Sequence, residues 1–295
     1  MLLRAMPDVS PINAAFRSWF YARWGRENCL ILGSTRHAEY EPFKQRLSIK
    51  MASGGAERYF LDGRTVVVDD DNYLILNDGR TYGSSIRADR EVESFSIFFR
   101  PGLLEEVLAA TVLTAEDLLR RPDATSQVEF AERLLPHDTT ISPVLRFIRH
   151  HIRAGVDDEQ WYDEQLHYLA ERMLRARYRL HRQALALRCA KTSTRLEICR
   201  RLALAADFID SCYQRDIGLD DMARAACMSR HHFLRAFRTL HGVTPMQYLH
   251  RKRIQVARRL RRDPDLSMQT IAARVGFNSR PTFYRQLRRW GAEQQ

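Results

Sequence analysis

From about residue 25 to 100, apolar residues come in short runs broken by turn signals. Arg46-Leu-Ser-Ile-Lys-Met-Ala alternates apolar and polar positions. Thr65-Val-Val-Val, Tyr73-Leu-Ile-Leu and Phe95-Ser-Ile-Phe-Phe are β-branched or apolar runs. Between them lie Ser53-Gly-Gly, Leu61-Asp-Gly, Asp69-Asp-Asp-Asn and Asn77-Asp-Gly. Short strands with Gly and Asp punctuation predict an antiparallel sandwich or small barrel, with Asp62-Gly63 as a hairpin turn. Pro101-Gly102 closes this region, and the spacing becomes helical from about Leu103 to Leu187. Leu103, Val107 and Leu108 share one face there, as do Leu166, Leu169, Met173 and Leu174. These helices pack on the barrel or on a second subunit.

The last third carries an internal repeat. Leu219-Asp-Asp-Met-Ala runs on to Ser229, Phe233, Arg235 and Phe237. Leu266-Ser-Met-Gln-Thr-Ile-Ala runs on to Ser279, Phe283, Arg285 and Leu287. Ala223 matches Ala272 at an offset of 49, and Phe233 matches Phe283 at an offset of 50, so the second copy has one more residue in its turn. Each copy reads as helix, tight turn, helix, a layout that leaves the second helix free to enter a major groove. Leu219, Met222, Ala223 and Ala226 form the inner face of the first helix, and Ile271, Ala272 and Val275 that of its counterpart. Ser229 and Ser279 are the predicted N-caps of the second helices, and Gly276 supplies a positive φ. An amphipathic helix over Leu196–Gln214 (Leu202, Ala205, Ala206, Ile209) supports the first copy. Between the copies a helix from Pro245 to about Arg262, with stripe Met246, Leu249, Val256, Ala257 and Leu260, holds the two units apart.

Charge follows the repeat. The net charge is +11, and Leu196–Gln295 holds 19 Lys/Arg against 9 Asp/Glu, or +10, leaving +1 for the rest. A basic segment joined to a neutral one implies a polyanion partner for the basic part alone. The five cysteines are scattered without a CxxC pair, which argues against a disulfide framework and a zinc site. The start lacks the apolar stretch of a signal peptide, and no apolar run approaches the ~20 residues that span a bilayer. The expectation is a cytoplasmic protein with no membrane partner.

Residues from about 196 to 291 resemble the DNA-binding domain of the AraC/XylS family of bacterial transcription regulators. The resemblance is carried by the pattern over 219–237, by Gly242-Val-Thr-Pro245 with Tyr248, by the arginine-rich linker helix, and by Ile271-Ala ending in Gly276-Phe. It implies an α+β chain: an N-terminal cupin-like β-barrel or sandwich with a helical dimerisation segment (1–187), a linker (188–195), and an all-α domain (196–295) with two helix-turn-helix units joined by a helix. It also implies a homodimeric activator that contacts RNA polymerase and answers to a small-molecule effector. One departure stands out. After Arg288-Arg289-Trp290-Gly291 the family's closing proline–aromatic motif is missing, which predicts a weakened last turn.

The residues expected to face double-stranded DNA are Arg230, His231, Leu234 and Arg235 in the first copy, and Arg280, Thr282, Tyr284 and Arg285 in the second. Arginine pairs bidentately with guanine or singly with phosphate. Two other classes compete with this reading. The protein is an architectural DNA binder whose N-terminal part only dimerises or docks a protein, or a cupin metalloenzyme with a DNA-binding tail. The enzyme lacks residues: His37 is the only histidine before His137, too few for a barrel metal site, and no nucleophile–base set stands out. The expectation is no enzyme, no cofactor and no metal. The Asp69-Asp70-Asp71 run lacks calcium-loop spacing and reads as a turn, and His150-His151 points to different helix faces.

Overall fold

The computed structural model describes residues 1–9, 11–111, 128–130, 132–184 and 192–291. The chain divides into two compact units, Met1–Arg182 and Gln183–Gln295. Of the expected linker, 188–191 lie outside the described residues, and 192–195 are the first turn of a helix.

The first unit is a mixed sheet of β1 (Leu2–Leu3), β2 (Cys29–Lys44), β3 (Ser48–Ser53), β4 (Ala56–Leu61), β5 (Arg64–Asp69), β6 (Asn72–Leu76), β7 (Thr81–Phe98) and β8 (Leu134–Pro136). The order is β1-β2-β7-β3-β6-β8, with the β4–β5 hairpin attached to β7 through β4. Among the described residues the path has two ends, β1 and β8, and is not closed into a barrel. All four predicted turns form. Asp62 and Gly63 both take positive φ, 50° and 72°, as a tight hairpin demands. Asp69 accepts from Asp71 N and Asn72 Nδ2, so the aspartate run is a turn.

The strands are longer than the sequence suggests. β7 pairs β2 from Thr81 to Phe98 on one edge, and on the other gives Glu93–Phe98 to β3 and Gly83–Ser85 to β4. Register shifts in β2 between Thr35 and His37, and between Tyr40 and Phe43, mark irregular pairing that turns a long ribbon. Of β2 and β7, the sequence reading marks only the last part of β7, from Phe95, as an apolar run; the middle of β7 and the second part of β2 are largely exposed and polar. α1 (Ala14–Arg23), β1 and β8 are also absent from the sequence reading. β8 adds to β6 inside the stretch expected to be wholly helical.

Helices α2 (Leu103–Thr111), α3 (Ser142–Arg153) and α4 (Glu159–Ala184) supply one side of the core. Leu145, Ile148, Leu166, Leu169 and Met173 pack with Ile49, Met51, Phe95 and Ile97 of the sheet. The alternation in β3 does not separate core from water, as an alternating strand normally would. Ser48 and Lys50, its polar positions, are as buried as Ile49 and Met51. His151 stacks on Trp161 at 4.6 Å, and among the described residues no His/Cys/Asp/Glu group is placed to hold a metal.

The second unit is all helical: α5 (Thr192–Cys212), α6 (Leu219–Ala225), α7 (Arg230–His241), α8 (Pro245–Leu260), α9 (Met268–Arg274) and α10 (Arg280–Gly291). Leu202, Ala205, Ile209, Met222, Phe233, Phe237, Leu249, Ile271, Val275 and Phe283 form one core. Among the described residues no helix of the chain is long and apolar enough to cross a membrane.

Candidate nucleic-acid interface

Two helix pairs, α6–α7 and α9–α10, hang on α8, which touches α5, α6, α7, α9 and α10. The first helices begin 49 residues apart and the second helices 50 apart, as the repeat predicts. α8 starts cleanly because Thr244 Oγ1 accepts from Gln247 N while Gln247 Oε1 accepts from Thr244 N, with Pro245 at the first turn. It stops at Leu260, two residues short of the expected Arg262. Its 16 residues span about 24 Å.

Both helix pairs turn on a residue with positive φ, Cys227 (49°) and Gly276 (85°). Small Ala223 and Ala272 are buried where the helices approach. Capping departs from expectation at Ser229, whose hydroxyl makes no capping bond. Ser279 Oγ accepts from Thr282 N at a long 3.5 Å, and the firm cap of the second pair is Ser267, which accepts from Thr270 N at 3.1 Å. The helix macrodipole and the free amides of the first turn still leave the N-terminal ends of α7 and α10 electropositive.

The arginines of α8 divide between structure and surface. Arg253 Nε donates to Tyr213 O, and Nη2 to Arg215 O, both at 2.8 Å, tying mid-α8 to the chain just after α5. Burial lowers its pKa, opposed by Asp216. Arg258 Nη2 donates to Trp290 O at 2.9 Å, and the Arg251 guanidinium lies 4.4 Å over the Trp290 ring. Trp290 is buried and its Nε1 donates to Gln286 Oε1 at 3.0 Å. The last turn, expected to be weak, is helical to Gly291 and anchored to α8. The burial of Lys252 and Arg253 was not legible in the sequence, because their amphipathic stems carry charged heads inward.

Each expected DNA-facing residue can now be placed. His231, Arg235 and Arg230 are exposed on α7, and Leu234 is half-buried between them. Arg230 lies 3.5 Å from Asp220 at the start of α6, so its charge is partly engaged. On α10, Tyr284, Arg285 and Arg280 are exposed and Thr282 is half-buried. Arg280 donates to Gln269 of α9. Arg235 and Arg285, 50 positions apart, make no ion pair among the described residues. His231, Leu234, Arg235, Arg238, Thr239 and Thr244 line one open hollow. Thr239 and Thr244 were not foreseen: Thr239 lies one turn after Arg235 on α7 and donates to its carbonyl, and Thr244 reaches this face through the sharp α7–α8 turn at Gly242, φ 72°. On the α10 side His250 stacks against Phe277, and burial followed by the charges of Arg253, Arg285 and Arg289 lowers its pKa.

Residues 222–293 match the family model described as a helix-turn-helix domain. Two curated relatives align here. One is the probable transcriptional regulator LumQ of Photobacterium leiognathi, 27% identical over 88 residues, 30% of this chain and 36% of that protein. The other is the HTH-type transcriptional regulator AlkR of Acinetobacter baylyi, 32% identical over 71 residues, 24% of this chain and 23% of that protein. This chain thus spans about a third and a quarter of the lengths of these relatives, which are regulators rather than enzymes. Among solved structures, the DNA-binding domain of the transcription factor AdpA, in complex with target DNA, is 32% identical, covering 30% of this chain and 80% of that one, TM-score 0.29. The segment following the first turn of α6 through α10 is a helix-turn-helix domain of the AraC type.

Proposed function

We infer that this chain is a sequence-specific DNA-binding regulator of transcription, reading two segments of one duplex. The observation that carries this is the pair of unengaged guanidiniums, Arg235 and Arg285, at equivalent places on the exposed faces of α7 and α10. Both helices are fixed to one core through α8. α7 and α10 then act as recognition helices of two helix-turn-helix units and enter successive major grooves, about 34 Å apart along the duplex. Arg230, His231, Leu234, Arg235 and Arg280, Thr282, Tyr284, Arg285 form the contact set. Electrostatic attraction comes from the same unit, which holds most of the excess charge.

The N-terminal unit is read as a cupin-like effector sensor and dimerisation module, and the whole protein as a cytoplasmic homodimer that activates transcription through RNA polymerase. Support for a sensor is a cleft in the sheet lined by aromatic and polar side chains. Effector binding shifts DNA affinity only through unequal affinity for two states of the protein. Genome-wide occupancy followed by competition binding at one site tests the reading. A few sharp peaks with a bipartite motif support it. Broad occupancy without a motif replaces it with the architectural alternative.

A further inference from the structure

The cleft in the first unit has a chemical polarity of its own. Phe20, Trp24, Ile31, Phe43 and Phe98 form an apolar and largely aromatic wall. Lys50, Glu57, Tyr59, Tyr82, Ser94 and Ser96 form a polar one. Lys50 is 2% exposed, and its ammonium sits 3.5 Å from the centre of the Phe98 ring and 5.4 Å from that of Tyr82. These are cation–π contacts. No hydrogen bond or ion pair to the ammonium is found among the described residues. An ammonium that faces the cleft with three donors and no acceptor among the described residues is an arrangement that a bound acceptor would satisfy.

Glu57 decides what kind of acceptor. It is 3% exposed, accepts from Ser94 Oγ at 2.7 Å, and its charge favours the protonated form of Lys50. The cleft therefore already holds a carboxylate near its ammonium. An anionic ligand would put two negative groups against one positive group in a low-dielectric site. A neutral hydroxyl avoids that: its oxygen accepts from Lys50 while its proton points to Glu57, whose carboxylate has lone pairs to spare. Size sets the rest. The cleft is half open, and its volume is about 60 Å³. An apolar cavity of ~150 Å³ encloses a benzene ring. At well under half that volume the cleft seats only the hydroxyl-bearing edge of a ring, and the rest of the ring lies in the open mouth against the aromatic wall.

We propose that this cleft binds a neutral single-ring hydroxyaromatic compound, a phenol, with its hydroxyl between Lys50 and Glu57 and its ring on Phe98 and the aromatic wall. As an effector site this rests on the sensor reading above; as a binding site it stands alone.

The test is calorimetric titration of the full chain with phenol, benzoate, benzene and dodecanoate. Phenol should bind about tenfold or more tighter than benzoate, which accepts but cannot donate, and than benzene, which can do neither. Dodecanoate should give no heat. Lys50→Met should weaken phenol about tenfold, and Glu57→Gln should weaken it less. The ligand ranking is read on the unaltered chain, so it decides the matter even if a variant does not fold. Benzoate or dodecanoate binding more tightly than phenol, no heat with phenol, or a folded Lys50→Met chain that binds phenol normally would overturn the proposal. Specific DNA binding is measured in parallel. If it persists while phenol fails to bind, the cleft assignment falls and the regulator stands. If phenol binds without changing DNA affinity, the site stands and its effector role falls.

Discussion

Gly276 lies so close to the carbonyl of Gln214 that a Cβ built on it would stand 2.6 Å from that oxygen, and 2.8 Å from the carbonyl of Tyr213. The turn of the second helix pair is therefore seated on the chain that follows α5, the helix supporting the first pair. Its φ of 85° adds a second reason for glycine. Gly276→Ala should cost at least about 2 kcal/mol, combining left-handed strain with a clash against backbone that cannot swing away. Urea unfolding measures this. A loss near zero would mean the turn is not seated there.

Arg253 binds the same segment from α8, donating to the Tyr213 and Arg215 carbonyls. Arg253→Met should destabilise the chain by about 3 kcal/mol, because two buried acceptors lose a charged donor. Arg253→Lys should recover only part, since an ammonium cannot reproduce the fork that reaches both oxygens. Chemical denaturation of the two variants checks the order. Equal stability of all three chains would refute it.

How much of this was legible in the sequence depends on the element. The helix pairs were readable because a repeat writes the same pattern twice: Phe233 and Phe283 are both fully buried where the offset places them. Gly276 was readable as a positive-φ position. What it presses against was not, since Gln214 is 62 residues away and contributes only a carbonyl. The burial of Lys50 was not legible for a related reason. Alternation in a strand reports two faces, but not that both are covered, and here the second face lines a cleft. The arginines of α8 look alike in sequence, yet Arg253 is buried and Arg251 exposed, a difference fixed by tertiary packing.

Lys50 also gives a pH signature. Burial pulls its pKa down from the ordinary lysine value to about 7, with Glu57 opposing the shift. Between that value and the unfolded lysine range near ~10.4, the unfolded chain binds one more proton than the folded chain. The wild type should therefore gain stability relative to Lys50→Met as pH rises from about 7, by up to about 1.4 kcal/mol per pH unit. Below about 7 the difference should level off, both states being protonated. Paired denaturation curves at several pH values show it. A difference independent of pH would place Lys50 in water.

Arg235→Ala and Arg285→Ala separate base reading from phosphate contact. If each reads a base, each should cost about 1–3 kcal/mol on the cognate site and relax specificity there. Phosphate contact alone would weaken all sequences about equally and lower the salt slope by ~1. Arg230→Ala should do less than Arg235→Ala, because Asp220 already engages Arg230. Salt-dependent binding titrations order the three. A larger loss for Arg230→Ala would contradict the assignment.

In the proposed function, one chain places two recognition helices on one duplex. Hydroxyl-radical footprinting of the full chain on its selected site tests it most directly. Two protected patches about 10 base pairs apart are expected per bound chain, with Arg235→Ala weakening one and Arg285→Ala the other. A single patch, or one that both variants weaken identically, would contradict it.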